Sequence, residues 1–518
     1  MFAGAWSSNP SFVRGGFGRM TDAITSLVAS PRSSRMIALS LVLVAMALRA
    51  GGDSVRFAAD PARYRDGEEL LSASAGLFLW HTGWWSHTLD LQYKAFCGGC
   101  TVHSVTAAAL LGLGGDSFRW WKVVPEVWSL VQLPLAFLAL RALFPGRLGV
   151  GAGYAALALL ALPPLGASDV GLMAWGNHAE SGVFVLGALA LVPSAGGTWL
   201  WAGLVAGLGV WFCRTTAYVL PLLFLLAGRG GARLLVGVFI GASPILLPAG
   251  RGEVGAYDAG LTGHEVGAIV SRLESLVRPE VVATRLWPGV REAGPLSGTW
   301  LLAAGAAVAA GGRRTWPVLV LAATFALGFA FADVDIPHRG GKVMNLRYHA
   351  PWFLIVPLLV AAAIGVSEGW RRRVAVGALA LMLAANGAGR ARGYAPPASA
   401  SVGPTDGFRD FVSVGLRFAP EELSVVHAAD PEIEAVARRM EGFALGASVL
   451  RGERSREAAA RAAPPDVLAG LGAVLAAADP AGTAAWAAKL PPDTAAALTS
   501  LRAPLRLPPS LGGILPPR

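Results

Sequence analysis

The sequence predicts an all-α polytopic membrane protein: a bundle of about eleven transmembrane helices with outer juxtamembrane helices and a small C-terminal helical domain. Three observations carry this. Of 518 residues, 54% are hydrophobic and 15% charged, with a mean hydropathy of +0.53. Apolar runs near bilayer length recur as far as Asn386, broken by Gly, Pro and Arg clusters. Many of the arginines behind the +10 net charge lie in short loops between those runs, the pattern of a topology signal. Nucleic-acid binding would gather basic residues on one soluble face, so the same pattern argues against it.

In chain order, residues 1–35 carry Arg14, Arg19, Arg32 and Arg35 ahead of the apolar run Met36–Leu48. This reads as an uncleaved signal anchor with a cytoplasmic N-terminus. A polar outer loop, 49–119, follows and includes Thr101–Leu113 as a juxtamembrane helix. Trp120–Arg141 and Leu148–Leu162 are spans, and Pro163–Glu180 is a second polar outer loop. Ser181–Val192, Trp199–Cys213, Thr215–Gly228 and Arg233–Pro248 are further spans before the long outer loop 249–298. Thr299–Ala310 and Thr315–Ala332 lead to the outer loop 333–350, and Pro351–Val366 and Val374–Asn386 complete the set. Arg141/Arg147, Arg229/Arg233, Arg313/Arg314 and Arg371–Arg373 then fall on the inner side, while Arg214, Arg339 and Arg347 fall outside and need another reason. A linker, 391–405, joins this domain (36–390) to an extracytoplasmic helical domain, 406–518. Its Ala-rich segments include Pro431–Met440, Glu453–Ala463 and Pro465–Ala478.

The polar residues concentrate in the outer loops. The first holds Asp66, Glu68, Glu69, His81, His87 and Lys94; the second holds Asp169, His178 and Glu180; the third holds Asp333, Asp335, His338, Arg339, Lys342, Arg347 and Tyr348. On this topology all three close one cavity, with carboxylates on one wall and cations on another. That suits a phosphate-bearing substrate, the cations binding the phosphate and a carboxylate taking a proton from the acceptor or holding a metal. Each residue also has a plainer role. Asp66 caps a helix beginning at Gly67, Glu68 and Glu69 sit in its first turn, and Arg347–Tyr348 anchors at the interface. The Trp80, Trp84, Trp85, Trp120 and Trp121 runs fit an aromatic belt. Cys97 and Cys100 lack a second pair for a zinc site, and in an oxidising compartment they suit a small-loop disulfide.

Four stretches together carry a likeness to a known class. They are Y-R-D-G at Tyr64–Gly67; Q-Y-K-A-F at Gln92–Phe96 with G-G-D-S-F-R-W-W-K-V-V-P at Gly114–Pro125; the acidic second loop with Asp169 or Glu180; and N-L-R-Y-H-A-P-W-F-L-I-V-P at Asn345–Pro357. Over roughly Met36–Asn386 the chain resembles the GT-C superfamily of polytopic glycosyltransferases, dolichyl-phosphate-mannose mannosyltransferases among them, with Ala95 and Phe96 where the family has prolines. The resemblance implies a transferase moving a hexosyl or pentosyl group from a polyprenyl-phosphate donor to a lipid, glycan or protein acceptor. It implies Asp66 as general base or metal ligand and Lys94 and Arg347 as donor-phosphate ligands. Glu180 with His178 forms the second acidic or metal-binding wall, and Tyr348 joins the substrate site. A divalent cation, Mg or Mn, would be held by Asp66, His178 and Glu180. The expected setting is a bacterial-type inner (plasma) membrane, with membrane lipids as partners and the C-terminus outside. The rival expectations are a transporter or flippase, whose best evidence would be a deeply placed Arg214, and a membrane scaffold whose tail binds a partner.

Overall fold

The computed structural model describes residues 31–59, 64, 67–83, 88, 91, 98–114, 118–176, 178–192, 199–246, 266–288, 290, 293–331, 347–392, 415–416, 418–461, 463–501 and 507. All the regular structure among them is helical. Six stretches are long and apolar enough to cross a membrane: Met36–Ala58, Val123–Leu143, Arg214–Ile245, Ala293–Phe331, Arg347–Val366 and Gly369–Ala391. A seventh arises if Arg147–Ala161 and Leu165–Gly171, bent by 81° against each other, form one broken span. The expected count of about eleven is higher because several apolar runs form short helices. The Ser181–Val192 run, for instance, yields a nine-residue helix, Gly182–Ala190.

The first helix, α1 (Pro31–Ala59), runs well past the expected end at Leu48. Arg49 and Asp53, four residues apart, pair within it and stay buried, so the charges do not expel the chain into water. Next come α2 (Gly67–Thr82) and α3 (Gly98–Gly114), which take in the expected juxtamembrane helix. Gly76 on α2 lies against Ser104 and Ala107 of α3, a contact only glycine permits. After a helical turn at Phe118–Trp121, α4 (Val123–Leu143) and α5 (Arg147–Ala161) follow. Pro163 and Pro164 then break the chain, since proline cannot extend the hydrogen-bond ladder. The short α6 (Leu165–Gly171) and a turn lead to α7 (Gly182–Ala190).

Next, α8 (Trp199–Phe212), α9 (Leu220–Ala227) and α10 (Gly231–Ala242) are joined by short 3-10 turns. Gly230 packs on Trp199 and Gly241 on Leu204 and Leu208, so α10 lies alongside α8 in the same direction and the chain between them returns. The reversal falls at Gly228, whose φ of +48° suits glycine. Gly203 and Gly207 on α8 face Gly237 and Gly241 on α10. These small residues, four apart on both helices, let the two backbones touch, as in membrane helix pairs.

The α11 (Val266–Val277) and α12 (Pro279–Leu286) helices precede α13 (Ala293–Gly311) and α14 (Trp316–Phe331). The centre of the bundle is α15 (Ala350–Val366), every residue of which except Trp352 is buried. An element apolar on all sides is stable only when surrounded, and α5, α13, α14 and α16 (Gly369–Ala391) surround it. The arginine turns gather at one end. Gly365 packs on Leu148 beside Arg147, Arg314 donates to the Val366 carbonyl at 3.2 Å, and Arg371–Arg373 open α16. The other end of α15 begins at Arg347–His349.

In the tail, α17 (Pro431–Leu450) is capped by Asp430, whose carboxylate accepts from the amides of Glu432 and Ile433 at 3.0 and 3.3 Å. It packs through Gly442 and Gly446 on α18 (Pro465–Ala478), and α19 (Pro480–Ala487) and α20 (Pro492–Thr499) complete the group. This tail shares a hydrophobic core with α2 and α3. Phe418 meets Phe78 with ring centroids 4.4 Å apart, and Ser74 Oγ donates to the Ile433 carbonyl at 3.1 Å. Helix α2 is buried from Glu69 to Leu79 because the tail covers the side that α3 leaves open.

The α8–α10 contact is testable. Gly207→Val would drive a side chain into the Val238 backbone and should lower stability by about 1–3 kcal/mol. Gly377→Ala on α16, where nothing lies within 4 Å, should leave stability unchanged or slightly raised. Thermal unfolding in detergent followed by tryptophan fluorescence separates the two.

Candidate functional site

The segment Pro163–Glu180, expected as a polar outer loop, is buried along nearly all of its described length. Its polar backbone therefore needs partners from the protein. Helix α4 and the residue before it supply three of them from one stripe, through Lys122, Ser129 and Gln132. Lys122 Nζ donates to the Leu172 carbonyl at 2.9 Å, Ser129 Oγ to Gly171 at 3.1 Å and Gln132 Nε2 to Ala179 at 2.9 Å. From α16, Asn386 donates to the Leu162 carbonyl at 2.8 Å and Arg390 to Pro163 at 3.0 Å. These bonds satisfy carbonyls at the broken end of α5.

Three groups of side chains hang on this segment. The first contains Asp169, which accepts from Arg56 at 2.5 Å and from the Tyr64 hydroxyl at 2.8 Å. Arg390 reaches Ser168 Oγ at 2.6 Å and lies 3.9 Å from Asp53, which pairs with Arg49. Asp169 is thus a clamped carboxylate that ties α6 to α1. The second contains Glu69, wholly buried, whose Oε1 accepts from Lys122 and from the Ala174 amide. Expected as a first-turn residue, Glu69 does lie in the first turn of α2 and is buried there, where a cation and an amide compensate its charge. Lys122 is a cation that sequence reasoning missed. Its signal was present as the first member of a polar stripe in an apolar run.

Glu180 belongs to the same group. Its Oε1 accepts from the Gly176 amide at 3.3 Å and lies 3.7 Å from His103 Nε2. Burial pushes the Glu180 carboxyl up to about 8, against the pull of the Gly176 amide, and the Glu69 carboxylate nearby adds to the rise. Burial pushes the His103 imidazole down to about 3, with the polar backbone at Ala174 offsetting part of this and Lys122 adding to it. In both groups burial favours the neutral form.

In the third group, Arg347 stacks on two rings, its guanidinium carbon 5.8 Å from the Trp175 centroid and 5.0 Å from that of Tyr348. Arg347 also donates to the Tyr348 hydroxyl at 3.1 Å. The His178 ring meets Tyr348 edge-on at 5.0 Å. Burial holds His178 well below the ordinary imidazole range, and the Arg347 and Arg214 charges push the same way. Arg214 itself is exposed at the end of α8 rather than deep in the bundle.

The chain matches no protein-family model, no curated protein and no solved structure.

Of the expected site residues, His178, Arg347 and Tyr348 come together at the Trp175–Ser181 turn, while Glu180 on the same turn faces Gly176 and His103. Asp66 and Lys94 lie outside the described residues, as do Glu68's side chain, His87, Cys97 and the loop 332–346 with Asp333, Asp335, His338, Arg339 and Lys342. His178 and Glu180 turn to different partners, Tyr348 and the Gly176 amide. Among the described residues no three His, Cys, Asp or Glu side chains gather as metal ligands. Trp121, expected in an aromatic belt, is buried against His103 with centroids 5.9 Å apart, whereas Trp80 and Trp120 are exposed. Cys100 is buried, its sulfur 3.9 Å from the Trp175 carbonyl. Behind the turn lies a cavity of about 50 Å³ between Arg49, Ser129, Gln132, Ala179, Ala350 and Leu354, room for a few waters but not for a sugar.

Lys122→Met leaves Glu69 buried without its cation and should cost about 3–5 kcal/mol, with much of that recovered in Lys122→Met/Glu69→Gln. Chemical denaturation of the three proteins reads the difference directly. The raised Glu180 midpoint makes folding take up a proton between pH 4.5 and 8, so its contribution is largest below 4.5 and is lost as pH rises to 8. Glu180→Gln should flatten the fall in melting temperature across that window. The His103 contribution, which disappears as pH drops from 6.5 toward 3, should remain.

Proposed function

We propose that this chain is a membrane glycosyltransferase of the GT-C type, moving a sugar from a polyprenyl-phosphate carrier to an acceptor outside the cytoplasm. The observation that supports this reading best is the meeting of Arg347, carried by the start of α15, with Trp175 and His178 on the broken segment, which two residues further on bears the buried Glu180. A stacked guanidinium still presents N–H groups at its edge, which suits a phosphate ester. A buried carboxyl with a raised proton affinity suits the hydroxyl of an acceptor, because its conjugate base holds a proton firmly.

In this reaction the acceptor oxygen forms a bond to the anomeric carbon while the bond from that carbon to the phosphate oxygen breaks. The acceptor's proton passes to a carboxylate, for which Asp66 and Glu180 are the candidates. The departing lipid phosphate keeps the electron pair and is held by Arg347, with Lys94 as the second cation. Tyr348 orients the Arg347 guanidinium. His178 stays neutral and can donate one hydrogen bond to sugar or phosphate. A divalent cation remains part of the proposal through Asp66 with Glu180 or His178, and no step above is routed through it. The site lies at the end of the bundle opposite the arginine turns, which agrees with an extracytoplasmic reaction if those turns face the cytoplasm of a bacterial-type inner membrane. The finer topology of about eleven spans, with the N-terminus inside and the C-terminal helices outside, belongs to the same proposal.

The transporter reading keeps one specific observation. The break of 81° at Pro163–Pro164, ringed by Arg49, Asp53 and Arg390, resembles the discontinuous helices of transport sites. Against it, the charges at that break are mutually paired.

Membrane vesicles supplied with lipid-linked sugar and an acceptor fraction test the transferase. Asp66→Asn and Glu180→Gln should each lower turnover by about 100-fold or more, while Arg347→Met should mainly raise the donor KM. Full activity in both carboxyl variants, or substrate flux into sealed proteoliposomes without sugar transfer, would reject the enzyme.

A further inference from the structure

His103 is a buried group that the proposed chemistry does not use. It sits on α3, fully enclosed, with Trp121, Trp128 and Phe212 around it at centroid distances of 5.9, 6.1 and 6.2 Å. Phe184 closes the same box, 5.9 Å from Trp128 and 4.9 Å from Phe212. An imidazole is a poor choice for filling such a box, since an apolar ring would fit without stranding two nitrogens. Among the described residues neither ring nitrogen nor Glu180 Oε2 meets a partner at full hydrogen-bond geometry. The Ala174 backbone and Glu180 are the polar groups beside the imidazole, with His103 Nε2 3.7 Å from Glu180 Oε1. A movement of about 1 Å or less makes this a hydrogen bond, and such contacts are often long before substrate binds.

We propose that His103 is a positioning residue for Glu180, its neutral imidazole holding the carboxyl group in one orientation in both protonation states. Neutral imidazole has one donor and one acceptor. It accepts from the O–H of the acid, and in the other tautomer it donates to the carboxylate. The aromatic box keeps out the water that would otherwise take either part. The other groups facing Glu180 cannot do both. The Gly176 amide and Lys122 only donate, and Glu69 is held by Lys122 and the Ala174 amide.

This rests on the reading of Glu180 as a reacting carboxyl, but the contact itself can be tested without any transfer activity. Two variants of the full-length protein in nanodiscs separate positioning from packing. His103→Gln keeps one donor and one acceptor, whereas His103→Leu keeps neither and suits the aromatic box better. The infrared carbonyl band of protonated Glu180 is identified as the one lost in Glu180→Gln. It should move to higher frequency in His103→Leu, as a carbonyl does when its acid loses a hydrogen bond, and stay near the wild-type position in His103→Gln. In the transfer assay His103→Leu should lower kcat about tenfold with little change in donor KM, and His103→Gln should recover most of the rate. An unmoved band in His103→Leu, or transfer by His103→Leu equal to or faster than His103→Gln, overturns the proposal and leaves His103 as packing. A band that moves in a wild-type background lacking transfer activity upholds the contact and removes the transferase reading alone.

Discussion

The structure depends on keeping an irregular piece of backbone inside a bundle of apolar helices. Pro163 and Pro164 end α5, and between them and Gly182 the chain forms only the seven-residue α6 and turns. In a dry interior each unpaired carbonyl or amide over that distance would cost several kcal/mol. The polar stripe from Lys122 to Gln132 and the side chains of Asn386 and Arg390 meet that demand bond by bond. The two helices that bear these groups are otherwise ordinary apolar spans, so their polar residues belong to the broken segment.

Once the segment is fixed, its side chains acquire unusual surroundings. Asp169 is neutralised by Arg56 and Tyr64, and Glu69 by Lys122, so those carboxylates are structural. Among the described residues no such cation pairs with Glu180, and the enclosed site favours its protonated form. Carboxyl groups on one wall thus differ in role because their partners differ, the usual way a protein separates an acid or base from its scaffold. Arg347 reaches the same segment from the start of α15, its guanidinium against the rings of Trp175 and Tyr348.

The tail is bound into the same architecture. Helix α2 carries Glu69 near its start, and its burial depends on Phe418, Ile433 and neighbouring tail residues as well as on α3. Disturbing the tail would therefore loosen the helix that positions the Glu69–Lys122 pair. Coupling of this kind gives the C-terminal helices a physical connection to the site without any catalytic group of their own.

Much of the helical layout could be read from local pattern. Proline-punctuated apolar runs marked helix ends, the Pro465–Ala478 helix fell where its spacing put it, and Arg147, Arg313, Arg314 and Arg371–Arg373 do gather at one end of the bundle. The errors share one cause, which is that local reading treats a charge as a demand for water. Arg49 and Asp53 were assigned to a loop, though each cancels the other inside α1, and Pro163–Glu180 was assigned to the surface, though its partners lie on α4 and α16. The sequence by itself determined that the chain is helical and largely apolar and which residues are charged. Only the tertiary structure decided which charge meets which, because a buried ion is tolerated or not according to a partner that can stand anywhere in the chain.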